Sequence, residues 1–513
     1  MLARIVDNQF IFIDQITQRE EDVIYQHFSV QIPNARYIDI GGGNFDGWYR
    51  KYSRKYRRLS RALLGELRMV CKKYRLPLTV TDERSSSEYP TPSDNIVTDD
   101  LLPGIKLYDY QLNAVRATCY SEVGCIKAPT GSGKGEMIAA ITKIHDCPTV
   151  IIAEQLVVID QLKERLELRD VIEEVGLFCS GHRPSGQKVI IGSIQSLSYK
   201  SSPPKRKDDE SDVSYDRKIK AFKTRKKNAQ YLRKEIAKCH MLLVDEADRS
   251  SSKPYARLFK RWFIGRRKYG FSGTYDDPNK PVENLTIKEF LGSIIVDIPR
   301  KAVEDVGRIV PVRYSALAFG LDGDKRESSA FDIAVSDWMI KNIKFHDLVA
   351  KLCAKKTANK DHGVLILVGS IKLGQSLEKL IPNSRFICGT TSQGDRRTAT
   401  KQFENREIQV LIGSKIVDRG LDLKGGCEAL VLATGGKLPS NFEQRVGRAL
   451  RLNKAGESHI YDFFFVGNKY LYAHSRERLK TIVAMEYPAT VVFPGKTIDA
   501  RSFIKSRYRT PKL

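Results

Sequence analysis

The sequence predicts an α/β protein with two consecutive domains built on open parallel sheets, preceded by a smaller leading domain of α+β type. Three observations support this fold class. The length of 513 residues exceeds what one ordinary hydrophobic core supports, so about three domains are expected. Short apolar runs that end in Gly, Ser, Thr or an acid alternate with helix-like segments over residues 96–303. The same alternation restarts and continues over residues 304–480.

Residues 1–95 form the predicted leading domain, which closes with the stretch TDERSSSEYPTPSDN, a composition typical of a linker. Within this domain, residues 49–75 carry eleven Lys and Arg. Five apolar residues recur there at helical spacing: Leu59, Leu63, Leu64, Leu67 and Val70. The pattern predicts a helix with one buried face and one strongly basic face.

The basic face of this predicted helix is a candidate for contact with nucleic acid, since Tyr49, Tyr52 and Tyr56 place aromatic rings among the charges. An ordinary solvated face is the alternative interpretation. The candidate contacts, all near the start of the segment, are Arg50, Lys51, Arg54, Lys55, Arg57 and Arg58.

The overall charge indicates a polyanionic partner. The chain has 86 Lys and Arg against 61 Asp and Glu, a formal net charge of +25. This balance favours nucleic acid, with a generally basic solvated surface as the alternative. A charged insertion at residues 201–234, predicted to be mobile or partly helical, and a basic C-terminal tail at residues 481–513 contribute to it. For the insertion, contact with nucleic acid and simple solvation are both open.

Hydropathy and cysteine spacing indicate the cellular compartment in which the protein is expected. No run of about 18 apolar residues occurs, so we expect no transmembrane helix, and the first residues do not resemble a signal peptide. The nine cysteines are scattered singly with no C-x-x-C pair, which favours buried thiols over a zinc site. Together these observations predict a cytoplasmic protein with no membrane partner.

The stretch APTGSGKG carries the first specific chemical prediction. It follows a short apolar run and precedes a helix-forming run, the context that a phosphate-binding loop needs. In such a loop, backbone N–H groups and a helix N-terminus face the phosphates, and the lysine neutralises their charge. The predicted nucleotide-binding residues are Thr130, Gly131, Ser132, Gly133, Lys134 and Gly135.

A second stretch, MLLVDEAD, supplies acids further along the chain. An acid at the end of a buried strand beside a phosphate loop can hold Mg²⁺ directly or through water, and we assign that role to Asp245. Glu246 is expected to orient and deprotonate the attacking water. We therefore predict ATP and Mg²⁺ as cofactors, with Lys134, Asp245 and Glu246 in catalysis.

These stretches occur in an order that resembles superfamily 2 helicases and translocases, over roughly residues 100–480. The resemblance implies two tandem RecA-like domains and assigns roles to further residues. LYDYQ resembles the element that recognises adenine, with Gln111 as the base contact. FSGT resembles motif III, in which Ser272 and Thr274 couple hydrolysis to domain movement.

The same resemblance implies contacts with the nucleic-acid backbone and with the nucleotide. TVIIAEQLVVIDQ, IIGSIQSL, VLILVGSIKLGQSLEKL and VLIGSKIVDRGLDL resemble motifs Ia, Ic, IV and V. The candidate nucleic-acid contacts in them are Gln155, Ser193, Gln195, Ser370 and Ser414. In motif V, Gly420 and Asp422 are expected on the nucleotide side.

The stretch QRVGRALR resembles motif VI of the family. On a helix, Gln444, Arg448 and Arg451 recur at i, i+4 and i+7 and so share one face. The two guanidinium groups are expected to reach the γ-phosphate from the second domain and to stabilise transition-state charge, with Gln444 also on the nucleotide side. Arg448 and Arg451 complete the predicted catalytic set.

The phosphate loop departs from the family pattern at one position. Family loops end in Gly-Lys-Thr or Gly-Lys-Ser, whose hydroxyl is a Mg²⁺ ligand, and Gly135 cannot supply it. Water can take that place because Mg²⁺ commonly keeps several waters. Since Lys134, Glu246 and both motif VI arginines are present, we expect a working ATPase with weaker Mg²⁺ binding.

The layout of a leading domain, two motor domains and the joint SIIVDIPRKAVEDVGRIVPV resembles UvsW-type branch-migration helicases of phages. This resemblance implies an ATP-dependent DNA helicase or translocase that remodels forks and Holliday junctions in replication, recombination and repair, in the host cytoplasm if phage-encoded. The alternatives are an RNA helicase, for which DEAD is the usual sequence, a restriction-type translocase subunit and an ATP-gated nucleic-acid-binding clamp. QRVGRALR in place of HRIGRTGR favours DNA.

Overall fold

The structure, a computed structural model, describes residues 1–33, 35, 46–179, 181–198, 202–206, 211–277, 280–320, 330–414, 423, 426–438, 442, 453 and 455–506. The chain divides into two compact units, Met1–Arg300 and Lys301–Leu513. Among the described residues, no helix is both long and apolar enough to cross a membrane. All nine cysteines are buried thiols, as the sequence predicts.

The leading region of the first unit is of α+β type. Its elements are β1 (Leu2–Ile5), β2 (Phe10–Asp14), α1 (Gln18–His27), β3 (Ser29–Gln31), β4 (Trp48–Arg50), β5 (Arg58–Ser60), α2 (Leu64–Tyr74) and β6 (Thr79–Asp82). The sheet has the order β5–β2–β1–β6, and β3 pairs separately with β4. LARI and FIFID alternate in burial because one face of the sheet packs against Ile24 of α1 and Leu67 of α2.

The predicted helix over residues 49–75 is wrong in its extent. Helix α2 begins only at Leu64, because the basic start of the segment forms β4, a turn and β5 instead. Arg57 has a φ of +44°, a left-handed conformation that interrupts any regular helix. The apolar pattern is nevertheless right about burial, since its buried members are Leu59, Leu63, Leu67 and Val70.

The rest of the first unit is a seven-stranded sheet with helices. Its elements are α3 (Asp109–Tyr120), β7 (Val123–Lys127), α4 (Lys134–His145), β8 (Thr149–Ile152), α5 (Leu156–Leu168), β9 (Val175–Phe178), β10 (Val189–Gly192), α6 (Asp212–Lys238), β11 (Met241–Asp245), α7 (Lys253–Arg257), β12 (Arg267–Ser272), α8 (Pro281–Leu291) and β13 (Ile294–Asp297). The order is β13–β7–β12–β11–β8–β10–β9, with every neighbouring pair parallel. Four inner strands, β8, β10, β11 and β12, are buried along their whole length, as in parallel sheets covered on both faces.

Apolar and ionic contacts join the leading region to this sheet and its helices. Leu285 of α8 lies in the apolar core of the leading region. Arg61, only 5% exposed, forms an ion pair of 2.8 Å with Glu122, and Arg84 pairs with the same carboxylate at 2.9 Å. The leading region and the seven-stranded sheet therefore pack together within the first unit.

The second unit is an eight-stranded sheet with helices. Its elements are α9 (Arg300–Asp305), β14 (Val312–Gly320), α10 (Phe331–Val335), α11 (Ile343–Lys356), β15 (Val364–Val368), α12 (Ile371–Leu380), β16 (Ser384–Ile387), α13 (Gln393–Glu404), β17 (Val410–Gly413), β18 (Ala429–Ala433), β19 (Ser458–Val466), α14 (Lys469–Ala484), β20 (Ala489–Phe493), β21 (Lys496–Asp499) and α15 (Ala500–Lys505). The order is β16–β17–β15–β18–β19–β14–β20–β21, with β21 antiparallel to β20 and the other pairs parallel. Two parallel α/β sheets in tandem confirm the predicted pair of RecA-like domains behind a small α+β region.

The predicted basic tail at residues 481–513 is corrected in its described part. Strands β20 and β21 extend the eight-stranded sheet, and Phe503 of α15 packs in the same core. ATVVF alternates in burial because one face of β20 lies on that core. The described part of this segment is therefore an integral part of the second unit.

Candidate nucleotide and nucleic-acid sites

The carboxyl ends of five parallel strands carry the predicted motifs of the first unit. β7 leads into the phosphate loop, β8 into motif Ia and β10 into motif Ic, while β11 ends at Asp245 and β12 at Ser272. The register sets these ends level, with Lys127 opposite Ser272 and Asp245 opposite Phe271. Open α/β sheets bind ligands at this edge. The fold thus brings these five motifs of the first unit to one edge of one sheet.

The phosphate loop joins β7 to α4 through two left-handed glycines. Gly131 has a φ of +89° and Gly133 a φ of +83°, so glycine is needed at both positions. Gly133 is the N-cap of α4, and Lys134 is the first helical residue. The loop therefore presents a helix N-terminus, whose free N–H groups attract anions, while Thr130 lies half-buried in it. Nζ of Lys134 lies 3.4 Å from the carbonyl oxygen of Ala128 at the start of the loop.

Gln111 supports the loop from α3. Its side chain is buried, its Nε2 donates to the carbonyl oxygen of Ser132 at 2.9 Å, and its Oε1 accepts the N–H of Tyr108 at 3.0 Å. The hydroxyl of Tyr110 donates to the same Ser132 carbonyl at 3.1 Å. Gln111 therefore positions the loop, and its contact with adenine stays a prediction.

Arg165 of α5 occupies the space beside Gly135. A Cβ added to Gly135 would overlap Nη1 of Arg165 and lie 2.9 Å from its Cζ. Glu136 holds this guanidinium through an ion pair of 2.9 Å with Nε. A cation therefore fills the space of the missing hydroxyl-bearing side chain. Sequence reasoning missed Arg165 because no local pattern links it to the loop.

Asp245 is a buried carboxylate whose hydrogen-bonding capacity is not met. Its side chain is 8% exposed, and within the described part of the chain its Oδ1 has no hydrogen-bond partner. Burial raises the pKa of Asp245 to about 6, the Glu246 carboxylate adds to the rise, and the Lys134 ammonium opposes it. A buried carboxylate oxygen without a donor is unfavourable unless a cation approaches. Asp245 therefore fits Mg²⁺, which prefers oxygen ligands and would neutralise charge on bound phosphates.

Glu246 follows Asp245 in a left-handed backbone conformation. Its φ is +53°, and it caps the short 3₁₀ turn Ala247–Arg249. Non-glycine residues rarely adopt this region, and such strained positions cluster at functional sites. The conformation turns the chain sharply at the end of β11, next to the buried Asp245.

A hydrogen bond connects the acid cluster, which consists of Asp245, Glu246 and Asp248, to motif III. The hydroxyl of Ser272 donates to Oδ1 of Asp248 at 2.7 Å, and the N–H of Thr274 donates to Ser272 Oγ at 3.2 Å. Burial raises the pKa of Asp248 to about 6, although the Ser272 hydrogen bond opposes the rise. Ser272 therefore contacts the acid cluster directly, and Thr274 contacts Ser272. Their role in coupling stays a prediction.

The predicted nucleic-acid contacts of the first unit differ in exposure. Gln195 is exposed, Gln155 is half-buried at the N-cap of α5, and Ser193 is buried with its Oγ 3.0 Å from Oγ of Ser196. Beside Gln155, Glu154 forms an ion pair with Arg249, the residue that directly follows the acid cluster in sequence. Motif Ia is thus tied to the nucleotide side by a pair that sequence reasoning did not identify.

The basic segment of the leading region is largely paired with acids. Arg50 binds Asp46, Lys51 binds Glu289 of α8, and Arg54 binds Asp22 at 2.6 Å. Lys51 is almost fully buried, which does not favour it as a phosphate contact. Arg58 lies over the rings of Phe10 and Tyr56. Of the six candidates, Lys55 and Arg57 remain exposed without an ion pair in the described part of the chain.

In the second unit, two of the predicted residues are described. Ser370 is the N-cap of α12, and Ser414 follows β17, where its N–H donates to the carbonyl oxygen of Ile387 at 3.1 Å. The other predicted residues of motifs V and VI lie outside the described residues: Gly420, Asp422, Gln444, Arg448 and Arg451. Their roles stay predictions.

Two family models match the chain in the order of the two sheets. Residues 104–277 match the model of the type III restriction enzyme res subunit, and residues 343–453 match the helicase conserved C-terminal domain. The first match covers the phosphate loop, the acid cluster and motif III. The second covers motifs IV to VI of the second unit.

Individual relatives are distant. The DNA 3'-5' translocase XPB2 of Sulfurisphaera tokodaii is 24% identical over 68% of this chain and 79% of its own length. The ATP-dependent RNA helicase DBP3 of Lodderomyces elongisporus is 23% identical over 45% of this chain, which spans only 40% of that relative. The chain in the crystal structure of T4 UvsW is 15% identical in sequence to this chain. The alignment covers 96% of this chain and 99% of the UvsW chain, with a TM-score of 0.42. That score is too low to support an inference. The two matched models, on two tandem RecA-like sheets, show that the chain is a superfamily 2 helicase, an ATP-dependent enzyme that acts on nucleic acid.

Proposed function

We propose that the protein is a DNA helicase or translocase that remodels branched DNA, such as forks and four-way junctions, by ATP-driven branch migration or unwinding. The observation that carries the proposal is the linkage of nucleotide-side and nucleic-acid-side motifs along one sheet edge. The Glu154–Arg249 ion pair ties motif Ia to the acid cluster, and the Ser272–Asp248 hydrogen bond ties the same cluster to motif III. A change in the nucleotide therefore has a short physical route to the nucleic-acid contacts.

ATP hydrolysis is proposed to use the residues at the ends of β7 and β11. Lys134 and the N-terminus of α4 bind the phosphates, and Asp245 holds Mg²⁺ directly or through water. Glu246 orients the attacking water and accepts its proton. Arg448 and Arg451 keep their predicted role of stabilising charge on the γ-phosphate.

DNA as the nucleic acid is supported by three features. The relative XPB2, which this chain matches over most of its length, is named a DNA 3'-5' translocase. The net charge of +25 suits a phosphate backbone, and motif VI has the QRVGRALR sequence. Backbone contacts can move stepwise along a strand because they carry no sequence information. Among the proposed contacts in the motifs, Gln195 is exposed, and Gln155, Ser370 and Ser414 are half-buried.

A restriction-type translocase subunit is the second candidate. The family model matched over residues 104–277 is that of a restriction-enzyme subunit, which favours this alternative. It shares the ATP chemistry but predicts movement along continuous duplex DNA rather than remodelling of junctions.

The proposal is tested with a labelled four-way junction whose arms are homologous and can migrate, beside a matched junction with heterologous, immobile arms. We expect ATP-dependent conversion of the mobile junction to duplex products, and no conversion by Lys134→Ala. A fork with an RNA duplex arm of the same sequence is the second comparison. ATP turnover without junction conversion, or unwinding of the RNA arm alone, would contradict the proposal.

A further inference from the structure

Helix α6, the core of the charged insertion, is anchored on the sheet through its C-terminal part. Its buried residues are Ala229, Leu232 and Ile236, and the last two lie in the core of the seven-stranded sheet. The hydroxyl of Tyr231 donates to the carbonyl oxygen of Pro184 at 2.6 Å, and Arg233 donates to that of Leu197 at 2.7 Å. The first part of the helix therefore extends from a fixed base.

A cavity of about 580 Å³ separates the first part of α6 from the sheet. It lies at the carboxyl ends of β9 and β10, the edge at which open α/β sheets bind ligands. Phe178 and Leu232 contribute apolar surface, and Gln195 of motif Ic lines the cavity. The α6 cavity therefore adjoins a residue already predicted to contact nucleic acid.

The face of α6 that lines this cavity carries three cations. Arg217, Lys220 and Arg225 line it together with Ala221, Thr224, Asn228 and Leu232 of the same helix. An ordinary helix turns apolar residues toward the protein and charges toward water. The three cations form no ion pair within the described part of the chain, and the helix has ten Lys or Arg against three acids. Positive charge is thus concentrated around a space with no compensating acid.

We propose that the α6 cavity binds the phosphate backbone of a DNA strand, with Arg217, Lys220 and Arg225 as its contacts. This inference rests on the proposed function. The three cations span eight residues of helix, or about 12 Å, which matches three to four phosphates of a stacked strand at roughly 3.4 Å each. A compact anion cannot reach all three, whereas a strand leaving Gln195 can. The insertion then lengthens the DNA path of the first unit beyond motif Ic.

Two triple variants of the same helix provide the test. Arg217→Gln, Lys220→Gln and Arg225→Gln remove three charges from the cavity face. Lys223→Gln, Lys226→Gln and Lys234→Gln remove three charges from positions of the helix that do not line the cavity, and they serve as the matched control. All six side chains are exposed, so both variants are expected to fold. Binding to labelled forked DNA is measured by fluorescence anisotropy over a series of salt concentrations, with RNA of the same sequence in parallel.

We expect the cavity variant to lose about 10-fold to 100-fold in affinity for forked DNA. The slope of its plot of log affinity against log salt concentration should become less negative by about 2 to 3, because each phosphate contact contributes roughly 0.7 to 0.9 to the slope. The control should lose much less in both quantities. Equal losses in the two variants, no loss in either, or a loss for RNA alone would overturn the inference. Failure of the unchanged protein to bind forked DNA would instead contradict the proposed function.

Discussion

The basic segment at residues 50–61 and helix α6 are both rich in Lys and Arg, but their surroundings differ. In the leading segment, Lys51 pairs with Glu289 and Arg61 pairs with Glu122, and both cations are largely buried. In α6, the cations that line the cavity have no acidic partner among the described residues. Cations paired with acids hold the leading region on the first sheet. The cations of α6 that have no acidic partner among the described residues form the proposed ligand site.

The same distinction applies to acids. Glu122 is half-buried among Arg61, Arg84 and Arg266, and although its burial raises its pKa, these cations together lower it by more. Asp245 is buried beside another carboxylate, and its pKa is raised to about 6. Glu122 stabilises the contact between the leading region and the seven-stranded sheet, whereas Asp245 has the environment of a carboxylate that binds a cation.

The largest effect is expected at the proposed catalytic acid. Glu246→Gln keeps the shape of the side chain but cannot accept a proton, so ATP turnover should fall by about 10² to 10⁴. Glu289→Gln is the matched control at an acid that is paired with a cation, and it should leave turnover unchanged while lowering stability. Steady-state phosphate release measures both. Normal turnover by Glu246→Gln would remove the basis for the catalytic assignment.

The next effect concerns the leading segment. Arg61→Ala removes the buried partner of the half-buried Glu122 carboxylate. The free energy of unfolding should fall by about 3 kcal/mol, the lower end for a broken buried pair, because Arg84 and Arg266 remain. Arg54→Ala breaks the exposed pair with Asp22 and should cost about 0 to 1 kcal/mol. Urea unfolding compares them. Equal costs would show that burial does not separate the two kinds of pair.

Asp245→Asn is expected to stabilise the protein in the absence of Mg²⁺. The folded pKa of Asp245 is about 6 against about 3.9 unfolded, so ionised Asp245 costs the fold about 2 to 3 kcal/mol above pH 6. That cost shrinks as the pH falls from 6 toward 4, and it vanishes below a pH of about 3.9, where the unfolded state also binds the proton. The gain in Asp245→Asn should therefore be full at pH 7.5 and mostly lost by a pH of about 4. Asp160→Asn, on an exposed position of α5, is the control, and an equal gain there would contradict the account.

The smallest effect is expected at Gly135. Gly135→Thr restores a Mg²⁺ ligand but must displace the Arg165 guanidinium, the mobile end of a long side chain. The Mg²⁺ concentration for half-maximal nucleotide binding should fall about fivefold, roughly 1 kcal/mol. Arg165→Ala in the same protein removes the overlap and should increase the gain. A double variant that binds Mg²⁺ no better than the unchanged protein would show that the hydroxyl cannot reach the ion.

The parts of the fold that local sequence dictates are those that could be predicted. Each motif of the first unit follows an apolar run, and parallel strands bring the ends of such runs to one edge, so Lys134 and Asp245 were predictable as a group. Partners distant in sequence were not. Nothing near Lys51 indicates Glu289, and nothing near Gly135 indicates Arg165. The helix over residues 49–75 was mispredicted because charge density does not reveal a left-handed turn at Arg57.

The most direct test of the central claim is ATP turnover by the full chain with forked DNA, single-stranded DNA, duplex DNA and RNA of the same sequence. The account predicts the strongest stimulation by forked DNA, and none in Lys134→Ala. Stimulation by RNA alone, or turnover that no nucleic acid alters, would contradict it.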